Sequence, residues 1–74
     1  MPERIVTFES VHGALKAERA IRQAGLRADA ISVPRRLSSD CGIALRFDAG
    51  DEKVVMEELA QRDISYRGIY DYEG

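Results

Sequence analysis

The sequence is short of the residues from which several kinds of functional site are built. Its 74 residues include one cysteine, one histidine and no tryptophan. One cysteine cannot form an internal disulfide, and one cysteine with one histidine falls short of the four ligands of a structural zinc site. We therefore expect no disulfide framework, no metal centre and no cofactor.

Long apolar runs and an excess of one charge are also missing. No stretch approaches the roughly 18 apolar residues of a membrane span, and no signal peptide is expected at the start. Eleven Lys and Arg residues against thirteen Asp and Glu residues give a net charge of −2, which is too weak to attract nucleic acid or an anionic membrane. We expect a reduced, cytoplasmic protein that binds neither.

The proportions of apolar and charged residues are those of one small folded domain. Apolar residues make up 45 % of the chain and charged residues 32 %, which is typical of a globular protein rather than a disordered one. We expect a single domain over residues 1–74. A chain this short buries only about 60 % of its surface on folding, so a homodimer would be a natural way to cover more apolar surface.

Hydrophobic periodicity predicts a strand and then a helix in the first third of the chain. The apolar, β-branched Arg4–Phe8 favours a strand. The following Val11–Ala24 repeats apolar residues at helical spacing, with Ser10 as its N-cap and Gly25 in the left-handed position after its end. The apolar positions of this helix are Val11, Ala14, Leu15, Ala17, Ile21 and Ala24.

The remaining two thirds predict two strands, a second helix and a last strand. The helix should bury Val55, Met56, Leu59 and Ala60, and the third strand should turn Ile43, Leu45 and Phe47 to one face. A polar segment, Pro34–Asp40, is long for a connection between neighbouring strands. The predicted elements are the strands Leu26–Val33, Ile43–Phe47 and Tyr66–Tyr72 and the helix Glu52–Arg62.

The order β-α-β-β-α-β predicts an α+β fold, the ferredoxin-like βαββαβ sandwich. In it a four-stranded antiparallel sheet carries both helices on one face. The other face is expected to be bare and to serve as the dimerisation surface. That face should carry small or polar groups: Thr7, Ala44 and Arg46, or part of the row Tyr66, Tyr70 and Tyr72.

This topology brings Cys41 to the start of the first helix. The helix begins at the end of the sheet where the second strand leaves and the third enters, so Cys41 should lie near Ser10, Val11 and His12. The turn Asp63–Ser65 should lie at the same end. A helix N-terminus, with its free N–H groups and partial positive charge, favours an anion.

These surroundings predict a reactive thiol. Positive charge from the helix and from Arg35 and Arg36 would lower the pKa of Cys41 from about 8.5 to roughly 3.5–7.5, with His12 as the proton acceptor. Gly42 lets another molecule approach closely. The carboxylate of Asp40 acts in the opposite direction and would raise the pKa of the thiol.

Two alternatives remain open from the residues alone. Cys41 is also explained as a small apolar filler at a strand entrance. The domain would then be a sensing or interaction module of the same fold that binds a small anion or an amino acid. In that module Arg35, Arg36 and Arg46 would bind a carboxylate or phosphate.

Three stretches of the chain resemble a known family. They are Phe8–Glu18 (FESVHGALKAE), Val33–Phe47 (VPRRLSSDCGIALRF) and Ile64–Tyr70 (ISYRGIY). Together they are similar to the selenium/sulfur carrier protein-like family of small bacterial proteins. The resemblance covers nearly the whole chain.

The resemblance implies a carrier rather than a turnover enzyme. Its cysteine, Cys41 within Ser39–Gly42, would hold sulfur or selenium as a persulfide or selenosulfide, in a half-reaction like that of a sulfurtransferase. The expected partners are a cysteine desulfurase or another sulfur or selenium donor, and a downstream acceptor protein. The residues expected to contact substrate or partner are Ser10, Arg35, Arg36, Ser39 and Gly42.

Overall fold

A computed structural model describes residues 2–34, 36–37 and 42–72. Within these residues the elements follow the predicted order, with a short 3₁₀ turn, Ala49–Asp51, ahead of the second helix. No helix among them is long and apolar enough to cross a membrane. The strands are β1 (Glu3–Thr7), β2 (Asp29–Ser32), β3 (Ile43–Asp48) and β4 (Gly68–Tyr72), and the helices are α1 (Val11–Gln23) and α2 (Glu52–Gln61).

The four described strands form one antiparallel sheet in the order β2-β3-β1-β4. The register places Thr7 opposite Ala44 on one side and opposite Gly68 on the other. One core then packs Val6, Leu45 and Phe47 of the sheet against α1 and α2, so both helices lie on the same face. The prediction of a ferredoxin-like α+β fold is confirmed.

Small residues let α1 lie close to the sheet. Its buried positions are Ala14, Ala17, Ala20 and Ile21, spaced at the three- and four-residue intervals of one helix face. The N-cap is the predicted Ser10, whose Oγ accepts a hydrogen bond from the backbone N–H of Gly13 at 3.1 Å. Gly25 takes the predicted left-handed conformation, with φ of +85°.

Several residues expected in the core lie elsewhere. Val11 and Leu15 are 43 % and 51 % exposed, because the buried face of α1 is centred on its alanines and these two residues lie on its flank. Ala24 follows the end of α1 and is exposed, and Ala60 of α2 is exposed as well. Two strands are also shorter than the sequence pattern predicted. β2 and β4 cover only part of the predicted Leu26–Val33 and Tyr66–Tyr72.

The face opposite the helices is covered at its centre, which corrects the expectation of a bare surface. Ile5, Thr7 and Ala44 point to this face by strand alternation, yet each is 0 % exposed. Tyr70 lies across the sheet, because a Cβ added to Gly68 would come within 2.6 Å of the Tyr70 hydroxyl oxygen. The aromatic side chain therefore covers part of this surface within the single chain.

Candidate functional site

The end of the sheet where α1 begins brings the predicted site elements together. There β1 and β2 end at Thr7 and Ser32, while β3 and β4 begin at Ile43 and Gly68. The start of α1 and both ends of the connection from β2 to β3 therefore lie at one end of the molecule. This is the arrangement that topology predicted for the described residues.

A groove of about 170 Å³ opens beside the start of α1. His12, in the first turn of the helix, is exposed and lines the groove opposite the turn that precedes β4. The prediction that Asp63–Ser65 lies at this end is confirmed. The lining residues are Glu9, Ser10, His12, Gly13, Lys16, Asp63, Ile64 and Ser65.

Gly42 lies at the entrance to β3 in a conformation that favours glycine. Its φ is +74°, in the left-handed region that costs L-residues about 1–2 kcal/mol. Its carbonyl accepts a hydrogen bond from the backbone N–H of Val33 at 3.0 Å, which extends the pairing of β2 and β3 by one residue. The residue after Cys41 is therefore fixed on one side by the sheet.

Cys41 itself lies outside the described residues, as do Arg35, Ser39 and Asp40. Their predicted roles, and the predicted proximity of the Cys41 thiol to His12, stay predictions.

Arg36 contacts a part of the sheet that sequence patterns did not predict. Its Nη2 donates to the backbone carbonyl of Asp71 at 3.3 Å. Asp71 lies on β4, the edge strand farthest from β2, and three residues beyond Gly68, which is about 10 Å along the strand. The structure thus brings Ser10, His12 and Gly42 to one end of the sheet but carries the Arg36 guanidinium towards the other.

Arg46 takes part in an ion cluster on the face opposite the helices. Its Nη2 donates to Asp29 Oδ2 at 3.1 Å, and its Nε lies 3.6 Å from Glu3 Oε2. The guanidinium also lies over the Tyr72 ring, 5.6 Å from its centroid. Arg27 completes the cluster by pairing with both carboxylates.

These contacts shift two pKa values. The hydrogen bond from Arg46, followed by the one from Arg27, lowers the pKa of Asp29, and the same bond to Asp29 raises the pKa of Arg46. The ionised carboxylate of Asp29 and the charged guanidinium of Arg46 therefore stabilise each other. Arg46 is therefore already neutralised within the chain, which speaks against its predicted use as the anion-binding residue of a sensing module.

Comparison with protein families identifies one match. The model of the family described as "Putative Se/S carrier protein-like" matches residues 3–71. No curated protein and no solved structure matches the chain. Because the match runs from the first residue of β1 into β4 and includes both helices, the chain belongs to this Se/S carrier protein-like family.

Proposed function

We propose that this protein carries sulfur or selenium on Cys41. The observation that supports it most is the family match over residues 3–71 in a chain whose single cysteine falls inside the matched range. A covalent carrier of either element needs a nucleophilic sulfur, and Cys41 is the one thiol that the sequence supplies. The protein passes its cargo on rather than turning over a substrate.

Loading is a transfer between sulfurs. The Cys41 thiolate attacks the terminal sulfur of a persulfide on the donor protein. A new S–S bond forms at Cys41, the donor's S–S bond breaks, and the electron pair leaves with the donor's cysteine thiolate. No oxidant is consumed, and delivery repeats the step with an acceptor nucleophile attacking the terminal sulfur on Cys41.

The geometry of the neighbouring residues supports this assignment. Gly42, bonded to Cys41, has no side chain to obstruct a second protein, and its φ of +74° leaves open space where a Cβ would stand. The first turn of α1 contains no acidic residue, which leaves its N-terminus with a partial positive charge, while Glu9 and Asp63 line the groove beside it. His12, in that turn, is the proposed proton acceptor for the thiol.

The donor is proposed to be a cysteine desulfurase or another protein that presents a persulfide or its selenium counterpart. Charge along the chain is uneven, with a net +3 over residues 1–47 and −5 over residues 48–74. The basic part contains Cys41 and the whole of α1. Electrostatic complementarity would therefore orient an acidic donor surface towards this part of the carrier.

The pH dependence of alkylation tests the proposal. We expect Cys41 to react with iodoacetamide with an apparent pKa below about 7.5. A value at or above about 8.5, or labelling only after unfolding, would mean an inert thiol and would contradict the carrier function. Cys41→Ser is the control for reagent specificity and should unfold at the same temperature as the parent protein.

A second measurement separates the carrier from an anion-sensing module of the same fold. A sensor gains thermal stability on adding its ligand, by an amount set by ligand concentration and affinity. We expect phosphate, sulfate, citrate and single amino acids to leave the melting temperature unchanged. A rise of several degrees that persists in Cys41→Ala would support the sensor instead.

A further inference from the structure

The outer edge of β2 has no partner among the described residues. β2 is the first strand of the sheet and pairs with β3 alone. β2 is only four residues long and begins with the charged Asp29, two features that protect strand edges, but its remaining residues Ala-Ile-Ser include no lysine or proline, and Ala30 and Ser32 are exposed. The other edge strand, β4, differs because its Asp71 carbonyl accepts the hydrogen bond from Arg36.

The hydrogen bonds to β3 fix which groups of β2 point outwards. Val33 N–H donates to the Gly42 carbonyl, and Ile31 lies opposite Ala44 in the same register. Backbone groups alternate in direction along an antiparallel strand, so the N–H and C=O groups of Ile31 face β3. Those of Ala30 and Ser32 therefore point away from the sheet, on a side where none of the described residues pairs with them.

One side of α1, on which Leu15 is exposed, stands above the same edge. Arg22, in the last turn of α1, connects the helix to this edge, because its Nε donates to the Ala28 carbonyl just before β2 at 3.1 Å. Leu15 lies seven residues earlier on the same side of the helix, about 10 Å along the axis. Ile31 lies three residues after Ala28, also about 10 Å along the strand. Because α1 and β2 run in opposite directions, Leu15 and Ile31 lie at the same level.

We propose that two copies of this chain dimerise through β2, pairing antiparallel with Ile31 opposite its counterpart on the two-fold axis. Ala30 then lies opposite Ser32 of the partner, and their outward groups form four backbone hydrogen bonds. Directly opposite residues share a face, so the two sheets become one eight-stranded sheet with all helices on one side. Leu15, 51 % exposed in the single chain, meets its counterpart near the axis.

A second copy fits this edge because the edge is complementary to itself. Ile31, in the middle of β2, and the exposed Leu15 of α1 lie at the same level along the strand direction. One two-fold axis therefore places Ile31 opposite the partner's Ile31 and Leu15 opposite the partner's Leu15. The charged residues on this side of α1 are Glu18, Arg19 and Arg22. Arg22 pairs within the chain with Glu18 at 3.3 Å and with Asp29 of β2 at 4.0 Å, so carboxylates of the same chain offset its charge where two copies meet.

Cross-linking tests the register. In a Cys41→Ser background, Ile31→Cys should form a disulfide-linked dimer under mild oxidation, because non-hydrogen-bonded antiparallel neighbours lie about 4.5 Å apart at Cα, within the range of disulfides. Val54→Cys is the matched control, since Val54 is 41 % exposed but lies on α2. Cross-linking at residue 31 no greater than at residue 54 would overturn the proposal.

Sedimentation equilibrium tests the interface without cross-linking. The parent protein should change from 8.3 kDa to twice that mass as concentration rises. Ser32→Pro removes an outward N–H and leaves the bonds to β3 in place, and Ile31→Lys sets two ammonium groups opposite each other. Both variants should stay monomeric with the melting temperature of the dilute parent. A parent that is monomeric at every concentration, or a dimer that survives both substitutions, would refute the β2 interface.

Discussion

Gly42→Ala is the substitution that connects backbone conformation to the proposed chemistry. Gly42 has φ of +74° and Gly25 has φ of +85°, and a Cβ at either position would meet nothing within 4 Å. Strain from the left-handed conformation is then the main cost, about 1–2 kcal/mol at each position. For a domain of this size that corresponds to a fall of about 4–16 °C in melting temperature.

Three glycine variants separate strain from function. Gly25→Ala should lose as much stability as Gly42→Ala but load sulfur normally, because Gly25 ends α1 far along the chain from Cys41. Gly50→Ala also adds a Cβ in open space, without a left-handed φ, and should change stability by less than about 1 kcal/mol. Melting curves and loading rates with a persulfide donor are the assays.

Gly42→Asn separates the backbone requirement at this position from the steric one. Asparagine adopts the left-handed conformation more readily than alanine, so Gly42→Asn should recover much of the stability that Gly42→Ala loses. Its larger side chain should still obstruct the donor protein, so loading should stay at or below the rate of Gly42→Ala. Gly42→Ala as stable as Gly50→Ala would refute the requirement for a left-handed residue. Gly42→Ala and Gly25→Ala with equal loading rates would refute the link to Cys41.

Three further substitutions test the fold. Asp29→Asn should destabilise the folded protein at neutral pH, because the lowered pKa of Asp29 contributes to stability. That contribution is present above about pH 3.8 and is lost as the pH falls through the folded-state pKa. The denaturant midpoints of the variant and the parent protein should therefore converge in acid. Leu59→Ala, 1 % exposed, should cost about 2–5 kcal/mol, against less than about 0.5 kcal/mol for the exposed Val54→Ala. Ser10→Ala should cost about 1 kcal/mol in thermal unfolding, through loss of its cap.

Periodicity predicted the order of elements because each helix and strand has one face against the core. Ala14, Ala17 and Ile21 and, on β3, Leu45 and Phe47 repeat at the spacing of their own element, so the pattern is local. Ser10 and Gly25 mark the ends of α1 by capping chemistry that is also local. Strand order followed from the ferredoxin-like topology that these elements predict.

The sequence-based predictions were wrong where the position of a side chain depends on contacts with residues far away in the chain. Leu15 fits the helical repeat, but it lies on the flank of a helix whose buried face is centred on alanines, and no described residue buries it. Arg36 donates to the carbonyl of Asp71, 35 residues later, and hydrophobic periodicity does not predict a contact between residues so far apart in the chain. The cover over Ile5 and Thr7 likewise depends on how Tyr70 lies across Gly68.

The candidate site was predictable to the extent that topology determines it. The gathering of Ser10, His12 and Asp63–Ser65 at one end follows from strand order alone. The pairing of Arg46 with Glu3 and Asp29 required the register between β1, β2 and β3, which sequence patterns do not provide. That pairing is why Arg46 is a structural residue of the ion cluster rather than a candidate for anion binding.

The most direct test of the carrier function is the intact mass of the protein after incubation with a persulfide-bearing desulfurase and cysteine. We predict that the parent protein gains one sulfur atom and loses it on reduction with a thiol, whereas Cys41→Ser gains none. A parent protein that gains no sulfur, or a Cys41→Ser protein that gains as much as the parent, would contradict the account.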